Sequence, residues 1–473
     1  MPISSRFNNS LDALRAGGTL NTFVHPDYKW MKPDWDLIRD SIAGERRVKE
    51  RGPLYLPPLD SDMGTSYESY KQRAIYVAMV ARTVSGLIGT IFRRPCKVDN
   101  VEKELLKDVT LDGLDFNLFA KQLAGEICSV GRVGVLVDMN EGRPYLTQYL
   151  AENILSWRTR VVNGREELTY VLLREILNET PVLDGQFIQA DPRYGSQNLR
   201  ERFRVLILDQ GVYKQRVYDQ VDQNGNPAFV GPTAYNEIIP SRNGKPFDFI
   251  PMKIIGPLSP TPDVQKPPVL DIANLNMAHY RTSAQLEHGR YFTAMPVYYV
   301  PVSNPDEQGE YFIGAPCVWE VPADTKPGIL EYFGTGLSAL ALSLTEKEEH
   351  IAQLGGRIMG IRPQATSESD NIFALKQANE MSILLNITES MSAGLTELIV
   401  WWLDWQRKPI KDVRVTLNQD FKALQIGARE LRAVALLYQQ GILPIQEVHR
   451  ILQESEMIGE EVSLKEFTQM LDN

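Results

Sequence analysis

Cysteine, histidine, basic charge and long apolar runs are all scarce in this chain, and each shortage closes a class of function. Three cysteines in 473 residues (Cys96, Cys128 and Cys317) are too few and too scattered for a disulfide framework or a four-ligand zinc site. They read as reduced thiols of a cytoplasmic setting. Of the five histidines (His25, His279, His288, His350 and His449), His279 and His288 stand nine residues apart, on opposite sides of a helix. Glu346 and His350 are four apart, but Glu348 and Glu349 beside them mark a charged, solvated helix face. No metal or cofactor is expected. Lys and Arg number 50 against 60 Asp and Glu, a net charge of −10 with a pI near 5.3. That excludes a protein that coats nucleic acid by neutralising phosphates, though not one that meets DNA in passing. No apolar run approaches the roughly 20 residues that span a bilayer, so no membrane is expected. The opening MPISSRFNNSLDALRAGG has no charged start followed by an apolar core, and no signal peptide is expected.

Catalytic signatures are missing as well. There is no G-x-x-x-x-G-K-[ST] phosphate loop, no G-x-S-x-G elbow and no H-E-x-x-H metal helix. Gly131 and Gly134 follow a helix and precede a strand, the reverse of a phosphate-binding order, and read as a helix cap with close packing. The acid pairs Asp34/Asp36 and Asp60/Asp62 could serve a metal-dependent nuclease only if they converged in a cleft. Asp34 and Asp36 are better explained as charge at a helix start. Trp401, Trp402 and Trp405 could stack on bases, yet no basic residue precedes them, which favours a core or subunit-contact role.

What is present is an ordinary globular composition, 43% hydrophobic and 23% charged, long enough for two to four domains. Pro26, Pro33, Pro53, Pro57 and Pro58 punctuate an extended arm, within which one helix begins at Pro33 and carries Leu37, Ile38 and Ile42. Apolar spacing predicts helices over Tyr67–Ile91 and Phe116–Val130, then a buried strand Val133–Asp138. Residues 145–256 read as mostly β, with a hairpin of Arg202–Leu208 and Val212–Tyr218 around Asp209-Gln210-Gly211. A turn is expected at Asn224-Gly225, and Phe247–Ile255 reads as an edge strand because of Pro251. After Pro267 and Pro268 come a helix Val269–Phe292, a Pro/Gly-broken β-rich stretch to Phe333, and a helix through Met359. Gly355, Gly356, Gly360, Pro363 and the polar run Thr366–Asp370 suggest a mobile loop. A very long helix Ile372–Trp405, a strand Val413–Leu417 and terminal helices broken at Gly441 and Pro444 complete the chain.

The order from residue 267 onward resembles the portal proteins of tailed bacteriophages. So do the stretches HPDYKW at 25–30, YESYKQRA at 67–74, RTVSGLIG at 82–89, PPVLD at 267–271, HYRTS at 279–283 and the run 340–351. The resemblance covers nearly the whole chain, in arrangement and degenerate sequence, without an invariant catalytic signature. It implies an α+β chain of portal type: a mixed wing domain (1–266), stem helices (267–295 and 334–359), a small β-rich clip (296–333), a tunnel loop (360–370), a long wing helix and strand (371–424) and a short helical crown (425–473). It implies a homo-oligomeric ring, usually of twelve subunits, at one capsid vertex of the virion, assembled in the host cytoplasm. The ring would conduct double-stranded DNA during packaging and ejection, and would dock the terminase large subunit, neck or adaptor proteins and the major capsid protein. Such a chain is a structural conduit, not an enzyme. By the same resemblance Gly360, Arg362, Gln364, Thr366, Ser367 and Glu368 would belong to the tunnel loop. Glu346, Glu349 and Gln353 would face the channel. Asp306, Glu307, Glu310, Glu320 and Asp324 would meet partners at the clip.

Charge distribution adds a partly separate argument. Residues 296–333 hold six acids and one base, and residues 425–473 hold eight acids and four bases, so these two stretches carry −9 of the net −10. Solvated surfaces are often charged; acids near channel mouths would also repel phosphates and let DNA slide. Two other readings stay open on the sequence: a metal-dependent nuclease or hydrolase built on the early acids, and another virion structural protein such as a capsid or adaptor subunit.

Overall fold

The structure, a computed structural model, describes residues 24–59, 65–162, 164–179, 182–183, 186–187, 198–218, 236–242, 244–294, 297–302, 318–324, 326–330, 335–359, 370–419, 421, 428–454, 457–459 and 462–471. It is α+β and divides into two units, Met1–Leu417 and Asn418–Asn473.

The first helix, α1 (Pro26–Ala43), starts earlier than the prolines suggested. His25 caps it, its Nδ1 accepting from the Asp27 amide at 3.2 Å, and Pro26 occupies the first turn. Pro33 therefore lies inside the helix rather than at its start. Tyr28, Met31, Trp35 and Ile38 form one buried stripe that runs through the proline, and burying it outweighs the lost helical hydrogen bond. A short α2 (Glu45–Glu50) follows Gly44, which sits at φ +93°. The buried Asp40 carboxylate joins these pieces, accepting from Arg47 Nε at 2.9 Å, Arg51 Nε at 2.6 Å and the Tyr55 hydroxyl at 2.7 Å.

The expected single helix over 67–91 is two, α3 (Thr65–Arg73) and α4 (Met79–Ile91). Nothing in residues 74–78 is a helix breaker; the break comes from elsewhere in the fold. Tyr76 turns inward and donates to Ser41 O at 3.0 Å and Asn276 Oδ1 at 3.1 Å, while Asn276 Nδ2 caps Val77 O at 3.0 Å. By contrast α5 (Phe116–Val130) has both predicted ends. Asp115 accepts from the Leu118 amide at 2.9 Å, and Gly131 closes the helix at φ +72°.

After β1 (Lys97–Asp99), strands β2 (Val133–Asn140), β3 (Arg143–Leu150), β4 (Ile154–Val162), β5 (Arg165–Glu179), β6 (Asn198–Asp209), β7 (Val212–Tyr218), β8 (Asn236–Ile238) and β9 (Met252–Ile255) form two antiparallel sheets. Their orders are β8-β7-β6-β5-β4 and β9-β2-β3. The β6–β7 hairpin turns through Gln210 at φ +50° and Gly211 at φ +79°, the paired left-handed conformation that suits a two-residue turn. The strand expected over Phe247–Ile255 is shorter: β9 begins at Met252, which leaves Pro251 just outside it, and β9 lies at the edge of its sheet. Asn224-Gly225 lies outside the described residues. A buried polar network ties the two sheets together. Arg204 meets Asp138 at 2.6 Å and Glu175 at 2.8 Å, and Gln215 donates to Asp138 at 3.1 Å.

Beyond Pro267 the chain forms α6 (Leu270–Thr293), a three-stranded sheet of β10 (Val297–Val302), β11 (Val318–Pro322) and β12 (Gly328–Leu330), then α7 (Thr335–Met359), which continues through Gly355 and Gly356. Next come α8 (Asp370–Trp405) and β13 (Arg414–Thr416), which pairs with β1. The Ile383–Trp405 part of α8 is long and apolar enough to cross a membrane by length and composition, at mean hydropathy 1.3, contrary to the sequence expectation. It is a core helix. Leu384, Ile387, Met391, Leu395, Leu398 and Trp402 are buried against β9, β2, β3 and β13. Trp402 Nε1 donates to Pro144 O at 2.9 Å, and Ser390 to Gly256 O at 2.6 Å. Trp402 and Trp405 are thus core, with Trp405 packed edge-on to Phe247 at 4.6 Å, while Trp401 is half-buried beside Phe249.

The second unit contains α9 (Ala428–Gln439), α10 (Ile445–Glu454) and α11 (Leu464–Leu471). Gly441, at φ +69°, ends the turn after α9. Ser463 and Glu466 form a reciprocal capping box at the start of α11. Val448 and Phe467 are its buried apolar side chains among the described residues.

Asp40 supplies a test of this arrangement. Burial raises the pKa of its carboxyl, but the hydrogen bonds from Arg51, Tyr55 and Arg47 outweigh burial and hold it below the ordinary value. A depressed carboxyl stabilises the fold above its unfolded-state pKa and loses that contribution as pH falls through the folded value. Asp40→Asn is expected to cost roughly 1–3 kcal/mol in urea unfolding at neutral pH, and the gap from wild type should close on acidification.

Candidate functional site

Helices α6 and α7 form an antiparallel pair. His279 opposes Glu348, and Gly289 opposes Leu337, so contacts nearer the three-stranded sheet pair later residues of α6 with earlier ones of α7. The sheet therefore stands at the tip of a helical hairpin. A Cβ on Gly289 would lie 2.6 Å from Leu337 Cδ2, so glycine there permits the close approach. His279 is buried on α6, and its Nε2 lies 3.1 Å from Glu348 Oε1. Glu348 remains 54% exposed, so it lies on the solvated face expected of it and also meets His279 of α6.

The two helices differ sharply in cover. The first two-thirds of α6 is deeply buried against α1, α3 and α4, with Tyr280 inaccessible and Ile272, Ala273, Met277 and Ala284 beside it. Between Gly336 and Gly355, α7 buries only Ile351 and Gly355, and leaves Leu342 61% exposed. Leu337, Leu340 and Leu344 are half-covered. Glu346, Glu349 and Gln353 are all exposed and, at spacings of three and four, share one face. His350 is exposed as well.

The tip sheet has order β11-β10-β12, its β10–β11 pair parallel. Register places Val318, Tyr298 and Ile329 in one cross-strand row, and all three are about half exposed, at 54%, 51% and 52%. Val300 and Glu320 form the next row of the same face. On the other face Tyr299 lies over Gly328, where a Cβ would come within 2.6 Å of Tyr299 Cζ. Three short strands with an uncovered apolar row are marginal in water alone. Glu320 and Asp324 are exposed on this sheet and its turn. Asp306, Glu307 and Glu310 lie outside the described residues, as do Gly360, Arg362, Gln364, Thr366, Ser367 and Glu368.

Of the early acids, Asp34 and Asp36 sit on α1 at a cleft of about 1030 Å³, and Asp36 is paired with Lys32 at 2.5 Å. Asp60 and Asp62 lie outside the described residues. No group of three or more His, Cys, Asp or Glu side chains that could hold a metal occurs among the described residues. Burial pushes the Cys128 thiol up to about 12, which leaves it no role as a nucleophile. The exposure of α7 and of one sheet face is a tertiary feature that sequence periodicity could not reveal.

Residues 268–406 match a family described as a domain of unknown function (DUF4055), a stretch running from α6 to the end of α8. No curated protein matches the sequence. Similar solved structures include a chain from the neck of an empty gene transfer agent particle, computed with C6 symmetry, at 12% identity and TM-score 0.40 over 79% of this chain and 89% of that one. Another is a chain from the virion of a native gene transfer agent particle, at 13% identity and TM-score 0.37 over 80% and 90%. At these scores neither likeness assigns a function to this chain.

The close approach at Gly289 is directly testable. Gly289→Val should wedge α6 from α7 and lower stability by about 1–3 kcal/mol, read from the thermal unfolding midpoint. Gly289→Ala should cost less.

Proposed function

We propose that this chain is a structural protein of a tailed-phage-type virion, and within that class a portal subunit. One observation carries this: a helical hairpin whose second helix buries few side chains between Gly336 and Gly355 and whose tip bears a small sheet with an uncovered apolar row. A subunit that closes into a ring needs such faces, because each copy supplies the cover for its neighbour. The portal resemblance from residue 267 onward supports the same reading.

In this proposal α6 and α7 are the stem, 296–333 the clip, 1–266 with 371–424 the wing, and 425–473 the crown. Glu346, Glu349 and Gln353 line the bore, where two carboxylates per copy repel DNA phosphates and keep the duplex sliding. Gly360, Arg362, Gln364, Thr366, Ser367 and Glu368 form the tunnel loop. The clip acids Asp306, Glu307, Glu310, Glu320 and Asp324 surround the site for the terminase large subunit and then for neck or adaptor proteins, with the major capsid protein around the ring. The ring conducts double-stranded DNA and is not an enzyme; energy for packaging comes from a separate motor.

Negative-stain imaging of the purified full-length protein should show rings with a central hole. Leu342→Glu should leave the subunit folded, since Leu342 is already exposed, but reduce ring yield. Strictly monomeric wild-type protein across salt and concentration would remove the proposal. Deleting residues 361–369 should leave rings intact while DNA packaging or retention falls; wild-type packaging by that variant would end the tunnel-loop role.

A further inference from the structure

The cleft beside α1 is unlike the acidic chain around it. Its floor is apolar, with Tyr28, Leu37, Leu155 and Met277. Five cations line it: Lys29, Lys32, Arg51, Arg174 and Arg281. Two acids, Asp34 and Asp36, oppose them. Lys32 is spent on Asp36, and Arg51 on Asp40. The other two arginines are poorly satisfied. Arg281 donates from Nε to Tyr55 O at 2.9 Å, and its two terminal nitrogens meet no acceptor among the described residues. Arg174 reaches Glu152 O and Asn153 Oδ1 only at 3.5 Å and Glu201 at 3.9 Å, and its buried Nε has no hydrogen-bond acceptor among the described residues. One large apolar lining side chain, Leu54, is 65% exposed, and Trp30, one helical turn from the lining residues Pro33 and Asp34, is 72% exposed.

Under-satisfied guanidinium forks above an apolar floor select carboxylates attached to a bulky apolar side chain. A bare inorganic anion would leave the floor and the rim unused. A nucleic-acid backbone would likewise leave the apolar lining unused. The complementary chemistry is an acidic peptide segment with an apolar anchor.

We propose that this cleft is a docking site for a second copy of the chain, and that its occupant is the acidic stretch 454–461. The inference rests on the homo-oligomer proposed above. Copies of net charge −10 repel one another, so a closed assembly requires local cationic surface to meet local acids. Residues 454–461 read ESEMIGEE, with Glu454, Glu456, Glu460 and Glu461, no base, and Met457 and Ile458 between them. Met457 is 47% exposed.

The test is a titration of full-length protein with a synthetic peptide of residues 452–463, read by calorimetry and tryptophan fluorescence. Binding should weaken on the order of tenfold in Arg281→Glu, and also in Lys29→Glu, which reverses an exposed charge on the cleft lining. A peptide with Met457 and Ile458 replaced by alanine should bind more weakly. In the whole protein, Glu456→Lys with Glu460→Lys should lower ring yield, and adding Arg281→Glu should restore part of it. The inference is overturned by peptide affinity unchanged in both cleft variants, by equal binding of the alanine peptide, or by a DNA duplex displacing the peptide. Rings that form normally in the cleft variants would overturn it while leaving the portal proposal standing. Wild-type protein that binds the peptide yet never assembles would sink the portal proposal and the second-copy source together.

Discussion

The fold of the first unit depends on hiding one apolar helix. The Ile383–Trp405 part of α8 has the length and hydropathy of a membrane span, so in water it must be surrounded by protein. Strands β9, β2, β3 and β13 supply that surround. Polar groups of the helix are then used as anchors. Ser392 and Thr396 accept from the Leu417 and Val415 amides, at 3.1 and 3.0 Å, and so pin β13 to the helix. Gly394 lets Ile255 of β9 come close, since a Cβ there would lie 2.7 Å from Ile255 Cδ1. Once that helix is enclosed, the β2–β3 sheet, the strand pair β1–β13 and the end of α8 are held in one piece.

A second layer of constraint is polar and works over long sequence distances. Arg39 on α1 reaches Glu126 of α5 at 2.5 Å and Glu152 at 2.8 Å. Burial lowers the pKa of its guanidinium, but the bonds to Glu152 and Glu126 raise it more, so the group stays charged. Glu152, partly buried, is held below its ordinary value for the same reason, with the Arg39 bond outweighing burial. Such pairs contribute less to net stability than to orientation, because desolvation offsets much of their attraction. Their effect here is to set α1 at a fixed angle to α5 and the sheets. That places α6 against α1 and leaves α7 on the outside. The exposure central to the functional proposal is therefore a consequence of α1 packing on α6.

Legibility in the sequence followed the range of the forces. Helix α5 was readable at both ends because Asp115 and Gly131 act on their own neighbours. So was the β6–β7 turn, where Gln210 and Gly211 adopt the left-handed pair locally. The extents of α6, α7 and α8 also followed from periodicity and flanking prolines or glycines. The start of α1 was not readable. A histidine ring nitrogen is an unusual cap, and Pro33 looked like a beginning although the buried stripe of Tyr28 and Met31 precedes it. The break between α3 and α4 was invisible for a different reason: Tyr76 is held by Ser41 and Asn276, and Asn276 is 200 residues away.

The same division applies to the candidate site. Sequence placed Glu346, Glu349 and Gln353 on one helical face, and the order helix, β-rich insertion, helix was plain from periodicity and prolines. By itself the sequence determined the element types, the local caps, the acidic balance and the lack of catalytic signatures, because each depends on neighbouring residues or on a count. Tertiary structure alone decided that the exposed Glu348 meets the buried His279, that Val318, Tyr298 and Ile329 align in one uncovered row, and that Arg174 and Arg281 share a cleft. Those facts depend on which distant surfaces are buried, and burial is settled by the competition of the whole chain for a limited interior.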